Sequence, residues 1–101
     1  MERIAVIGAG FMGSGIAQVC AQAGYAVTLI DVTEERLGFA RNAIAWSLDK
    51  LENKEQLDAP ASVVADRIQT STGYSAARDA ELVIEAVYED RETKRNAIRT
   101  L

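Results

Sequence analysis

The sequence contains no histidine. The usual general base near neutral pH is therefore missing. Serines and threonines are present, but no paired base exists to activate them, so the chain is expected to carry no catalytic residue of its own. Ligand-type side chains do not cluster at metal spacing, and no metal site is expected. Cysteine occurs once, as Cys20. It cannot form an internal disulfide and reads as a small core residue, which suits a reducing, cytoplasmic setting. No apolar run approaches the ~20 residues of a membrane span. Met1-Glu2-Arg3 leads straight into a strand, with no signal peptide visible. Basic residues number 11 against 15 acidic, for a net charge of -4. There is no basic block, so nucleic acid and anionic membrane surfaces are not expected partners.

What is present suits one small domain: 101 residues, 49% hydrophobic and 26% charged. The chain is organised around Arg3 to Gly15, RIAVIGAGFMGSG. Ile4 to Ile7 form a nearly unbroken apolar run, as a strand buried on both faces requires. Gly8, Gly10 and Gly13 follow with the spacing G-x-G-x-x-G. Met12, Ile16, Val19, Cys20 and Ala23 then recur at helical intervals and predict the buried face of a first helix. The glycines thus sit where a strand turns into a helix. Gly8 permits the tight turn, Gly10 leaves room for a pyrophosphate to approach the backbone, and Gly13 lets the helix pack closely on the sheet. The N–H groups and dipole of the helix start can hold that anion. On its own this spacing also marks ordinary turns without a ligand. The context favours the dinucleotide: a second strand, Ala26 to Ile30, ends in Asp31, where a carboxylate should accept from the hydroxyls of an adenosine ribose.

Further along, Gly24 is placed to end the first helix in a left-handed conformation. Thr33 reads as an N-cap, with Glu34 and Glu35 in the first turn of a helix running to about Leu51. Its buried stripe is Leu37, Ala40, Ile44, Leu48 and Leu51. Its far end should project beyond the sheet, and Trp46 reads as a packing residue. Residues 53–60 connect to a short helix, Ala61 to Arg67, with Val63 and Val64 buried. These segments form a helical hairpin between the second and third strands. The third strand is Ile68 to Ser71, then a turn at Thr72-Gly73-Tyr74 and a brief helix, Ser75 to Asp79. The fourth strand is Leu82 to Val87, with Glu85 either at an edge or partnered. Asp90 is placed to cap a last helix reaching Leu101.

Strands alternating with helices predict an α/β fold with a parallel sheet of the Rossmann type, in strand order 3-2-1-4 and incomplete. A fourth strand lacking its outer neighbour should expose a hydrophobic edge, and self-association is expected, either by joining two such edges or by packing exposed apolar helix faces.

Two stretches carry a family resemblance. IAVIGAGFMGSGIAQVCAQAGYAVTLID resembles the amino terminus of the 3-hydroxyacyl-CoA dehydrogenases, and GAGFMGSGIAQ is more specific than the general fingerprint. ELVIEAVYEDRETKRNAIRTL resembles the same family's fourth strand and the helix after it. The resemblance implies an NAD-dependent oxidoreductase acting on the 3-hydroxyl of an acyl-CoA thioester. It gives a cofactor set of Gly8, Gly10, Phe11, Met12, Gly13, Asp31, Ala86, Val87, Glu89 and Lys94. Glu89 and Lys94 match the family's acid and lysine near the nicotinamide. Without the family, Glu89 could equally favour a helix start and Lys94 a solvated face. The family's catalytic histidine, its partnering glutamate and its substrate and dimerisation domain have no counterpart here. The chain is therefore expected to be the amino-terminal NAD-binding part of such an enzyme, a homo-oligomer acting on acyl-CoA. Two other readings stay open: a small 3-hydroxy-acid dehydrogenase, which VIEAVYED disfavours, and a non-catalytic protein on the same fold, like lambda-crystallin.

Overall fold

The computed structural model describes residues 2–88 and 96–100. The chain runs β1 (Arg3–Ile7), α1 (Phe11–Gln22), β2 (Ala26–Ile30), α2 (Glu34–Asn53), α3 (Ala61–Asp66), β3 (Ile68–Ser71), a 3-10 turn (Tyr74–Ala77), β4 (Leu82–Tyr88) and β5 (Asn96–Thr100). The sheet order is β3-β2-β1-β4-β5. The four strands expected in the order 3-2-1-4 are all parallel to their neighbours. β1 lies in the middle, with Ile7 opposite Ile30 on one side and Glu85 on the other. The loop after β1 therefore opens between β2 and β4, where strand order reverses and α/β sheets take their ligands.

Within the segment expected as a last helix, the described residues 96–100 are instead extended. Asn96–Thr100 pairs antiparallel with β4, Arg99 opposite Glu85 and Ile98 opposite Ala86. A helix of about twelve residues is marginal in water without surface to cover. The outer edge of β4 offers a row of backbone groups that an extended segment satisfies. That edge is thus not free, and the premise of edge-driven self-association falls with it. Glu85 has a partner.

One face of the sheet carries α1 and α2, and the core lies between. Ile4, Val6, Val27 and Leu29 meet Ala17 and Ala21 of α1 and Leu37, Ala40, Ile44 and Leu48 of α2. The α2 stripe falls where its spacing predicts as far as Leu48, whereas Leu51 is only half-buried and stands outside the core. The α1 face is rotated: its buried residues are Gly13, Ala17 and Ala21. Met12, Ile16 and Cys20 flank the core, and Val19 is exposed. The smallest side chains face the sheet because Gly13 must touch the backbone of the β1 turn. An apolar count rewards size, whereas the close approach of this helix rewards its absence. Burial pushes the Cys20 thiol pKa up from its ordinary value.

Gly24 has φ +103° and closes α1 as expected. Thr33 Oγ1 accepts from the N–H of Arg36 at 3.2 Å, starting α2. α2 ends at Lys54 and Glu55, and Glu55 takes φ 57° while the N–H of Gln56 donates to the Leu51 carbonyl at 2.9 Å. Glu52 Oε1 then accepts from the N–H of Ala61 at 3.0 Å, tying α3 back to α2. In α3 only Val64 of the two valines is buried. Trp46 does not pack: it is 65% exposed, with Lys50 Nζ 4.4 Å from its ring centroid. α2 is a long helix over a short sheet, so its solvent face keeps whatever side chains it carries. No helix of the described residues is long and apolar enough to cross a membrane.

Candidate functional site

The turn between β1 and α1 owes its shape to three backbones in contact. Gly8 has φ +108°, and a Cβ there would lie 2.2 Å from the Ala86 carbonyl oxygen. A Cβ on Gly13 would lie 1.6 Å from the carbonyl oxygen of Gly8. Both glycines are thus required by the protein's own packing. Gly10 is different: a Cβ there would meet nothing within 4 Å. Its φ of -72° suits any residue. The fold does not need glycine at this position, so the open space is left to something that approaches the backbone from outside.

Gly10 is also the N-cap of α1, and it supplies no side-chain cap. The first N–H groups of a helix have no intrahelical partner. The first turn carries no acidic residue. Meanwhile Ser14 Oγ donates to the carbonyls of Gly10 at 2.8 Å and Ala9 at 3.2 Å. The Gly10 and Ala9 carbonyls are occupied by Ser14, while the first N–H groups of α1 are left without a side-chain cap at the positive end of the helix. This is an anion cradle.

Asp31 follows β2 at the neighbouring strand end and is 8% exposed. Its Oδ2 accepts from the N–H of Ala9 at 2.7 Å, and its Oδ1 from the N–H of Val32 at 2.5 Å. The first bond crosses from β2 to the glycine turn, so Asp31 fixes the loop as well as facing the cleft. Arg36 Nε lies 3.6 Å from the same Oδ2.

These parts share one cleft of about 650 Å³. Gly8, Gly10, Phe11, Met12 and Gly13 line one wall, with Asp31 and Ala86 beyond them. Seven of the ten residues expected from the sequence are thus brought together. Phe11 stands fully exposed at its rim. Val87 is placed by its backbone alone, in β4 and opposite Ala97. Glu89 and Lys94 lie outside the described residues. The cleft adds Val32, Arg36 and Tyr74; the sequence places Arg36 one helical turn beyond Asp31 without assigning it to the site, and gives Val32 and Tyr74 no role there. Tyr74 follows the end of β3, and the rule that ligands sit beyond the carboxyl ends of strands would have pointed to it. Among the described residues no group of His, Cys, Asp and Glu could hold a metal ion.

The donor set therefore fits a dinucleotide: an anion cradle, a glycine left open to it, and a buried carboxylate one strand away. Known proteins agree. Residues 3–101 match the family model described as 3-hydroxyacyl-CoA dehydrogenase, NAD binding domain. A probable 3-hydroxyacyl-CoA dehydrogenase of Caenorhabditis elegans is 43% identical over 94% of this chain and 33% of its own length. A probable 3-hydroxybutyryl-CoA dehydrogenase of Deinococcus radiodurans is 41% identical over 98% of this chain and 36% of its own. Among solved structures, the (S)-3-hydroxybutyryl-CoA dehydrogenase of Ralstonia eutropha superposes with a TM-score of 0.82 at 36% identity, over 93% of this chain and 34% of that one. The chain spans about a third of the length of these relatives. A family model that takes in nearly every residue decides the assignment: the chain belongs to the 3-hydroxyacyl-CoA dehydrogenase family, as an NAD-binding domain.

Proposed function

We propose that this chain is the cofactor-holding part of an enzyme that oxidises the 3-hydroxyl of a 3-hydroxyacyl-CoA to the 3-oxoacyl-CoA. The observation that carries this is the open space at Gly10, on the axis of α1 and in one cleft with Asp31. Gly8 and Gly13 shape the turn. The N–H groups around Gly10, Phe11 and Met12 receive the pyrophosphate, and Asp31 accepts from the adenosine ribose. Ala86 and Val87, at the end of β4, flank the path toward the nicotinamide. Glu89 and Lys94 belong to that end by the family pattern. NAD, when bound, supplies the hydride acceptor for the carbon that bears the hydroxyl.

This chain has no histidine. The group that takes the hydroxyl proton, and the surfaces that hold the acyl chain, are assigned to the two thirds of the relatives' length that it does not cover. We assign a cytoplasmic, homo-oligomeric enzyme as the whole. Titration calorimetry of the purified chain with NAD and with 5′-AMP tests the site. Both ligands should bind weakly, and no heat from either at millimolar concentration would refute the reading. NADH formation from 3-hydroxybutyryl-CoA by this chain alone would refute the division of labour.

A further inference from the structure

Asp31 does not act alone at the ribose end of the cleft. Arg36 brings its Nε to 3.6 Å from the Asp31 Oδ2, and its side chain is 61% exposed against 9% for the aspartate. The carboxylate is the fixed member of the pair, and the guanidinium lies at the cleft mouth with Gly10, Phe11 and Val32. Its main chain is anchored too, since Thr33 Oγ1 accepts from its N–H. Arg36 therefore sits at a set position in the first turn of α2.

A guanidinium has five N–H donors in a rigid fork. Here Nε is turned toward Asp31, which leaves the two terminal nitrogens for a ligand. The group that distinguishes NADP from NAD is a phosphate on the 2′-oxygen of the ribose, beside the carboxylate that would accept from that hydroxyl. Asp31 repels such a phosphate. Arg36 attracts it, and its fork matches phosphate geometry. Glu34 and Glu35, exposed in the same turn, add negative charge farther out and favour the unphosphorylated ribose.

We propose that Arg36 is a specificity-setting residue of this site: it tempers the exclusion of a 2′-phosphate by Asp31, so the cleft prefers NAD but takes a 2′-phosphorylated adenosine at a modest penalty. This rests on the dinucleotide reading of the cleft. The test is titration of the chain, of Arg36→Ala and of Arg36→Lys with two probes, 5′-AMP and adenosine 2′,5′-bisphosphate. Wild type should bind both. Arg36→Ala should lose bisphosphate affinity by about ten-fold or more, as expected for hydrogen bonds to a charged group, with 5′-AMP changed by less than about two-fold. Arg36→Lys should recover part of the loss, because a point charge replaces a fork. An equal loss for both probes would make Arg36 a wall for the adenosine and overturn the inference. So would no loss for either. If wild type binds 5′-AMP and not the bisphosphate, the inference falls alone. If it binds neither, the dinucleotide reading falls with it.

Discussion

Replacing Asp31 by alanine should weaken the protein before any nucleotide is added. The carboxylate accepts two main-chain N–H groups, from Ala9 at 2.7 Å and from Val32 at 2.5 Å. Hydrogen bonds to a charged group contribute about 1.5–3 kcal/mol each. The two losses are not equal. Ala9 is 6% exposed, so its N–H is hydrated less readily when its acceptor is removed. Val32 is 65% exposed, and water can replace the carboxylate there. The exposed Arg36 contact adds little. The sum is about 2–4 kcal/mol, a large part of the ~5–15 kcal/mol that stabilises a domain of this size. At roughly 4–8 °C per kcal/mol, Tm should fall by about 8–32 °C. Asp31→Asn keeps a carbonyl acceptor for Ala9 and should lose about half as much or less. Far-UV circular dichroism during heating, without nucleotide, reads both variants. A Tm for Asp31→Ala within about 2 °C of wild type would refute the reasoning, since it would mean that the bond to Ala9 supports nothing. Calorimetry on the variants should then be run where they remain folded, because loss of NAD binding and loss of fold otherwise look alike.

The two inner glycines should part ways when each is changed to alanine. Gly13→Ala puts a Cβ 1.6 Å from a carbonyl oxygen and should abolish cooperative unfolding. Gly10→Ala meets nothing within 4 Å and should change stability by less than about 1 kcal/mol while weakening NAD; equal Tm losses would refute the distinction. Glu55→Gly should stabilise by about 0.5–1 kcal/mol in urea unfolding, because φ 57° strains any residue with a Cβ. The raised Cys20 pKa leaves less thiolate at a given pH. Alkylation by iodoacetamide at pH 8 should therefore be slower than for a free cysteine, and an equal rate would refute this.

The parts that could be read from the sequence are those in which neighbours in the chain are neighbours in space. The glycine turn, the Thr33 cap and the α2 stripe from Leu37 to Leu48 each depend on residues a few positions apart, and each falls where its spacing predicts. The order 3-2-1-4 follows from alternation and from the side on which such crossovers pack. What could not be read depends on distant partners. The face of α1 is set by the Gly8 carbonyl, which asks for Gly13, Ala17 and Ala21 against the sheet rather than for the larger apolar residues. That Arg36 stands one helical turn beyond Asp31 is legible, but that it lines the cleft depends on α2 starting beside the end of β2. The strand at Asn96–Thr100 has a helical apolar spacing, and pairing with β4 overrides it.

The contact of Gly8 with the Ala86 carbonyl also bears on when, during folding, the anion cradle comes into being. β1, α1 and β2 are contiguous and can meet through short loops. β4 enters the sheet from far along the chain, beside β1, and is latched there by Arg3 and Glu81, 78 positions apart. Until that strand docks, the back of the glycine turn faces solvent and the turn is held from the β2 side alone, by the Gly8 N–H on the Ile30 carbonyl and the Ala9 N–H on Asp31. A ribosome that has released only β1 through β3 has made the motif with one of its two supports. The slow event is closure of the long loop, and nucleotide binding should therefore appear together with the last parallel strand rather than with the motif itself.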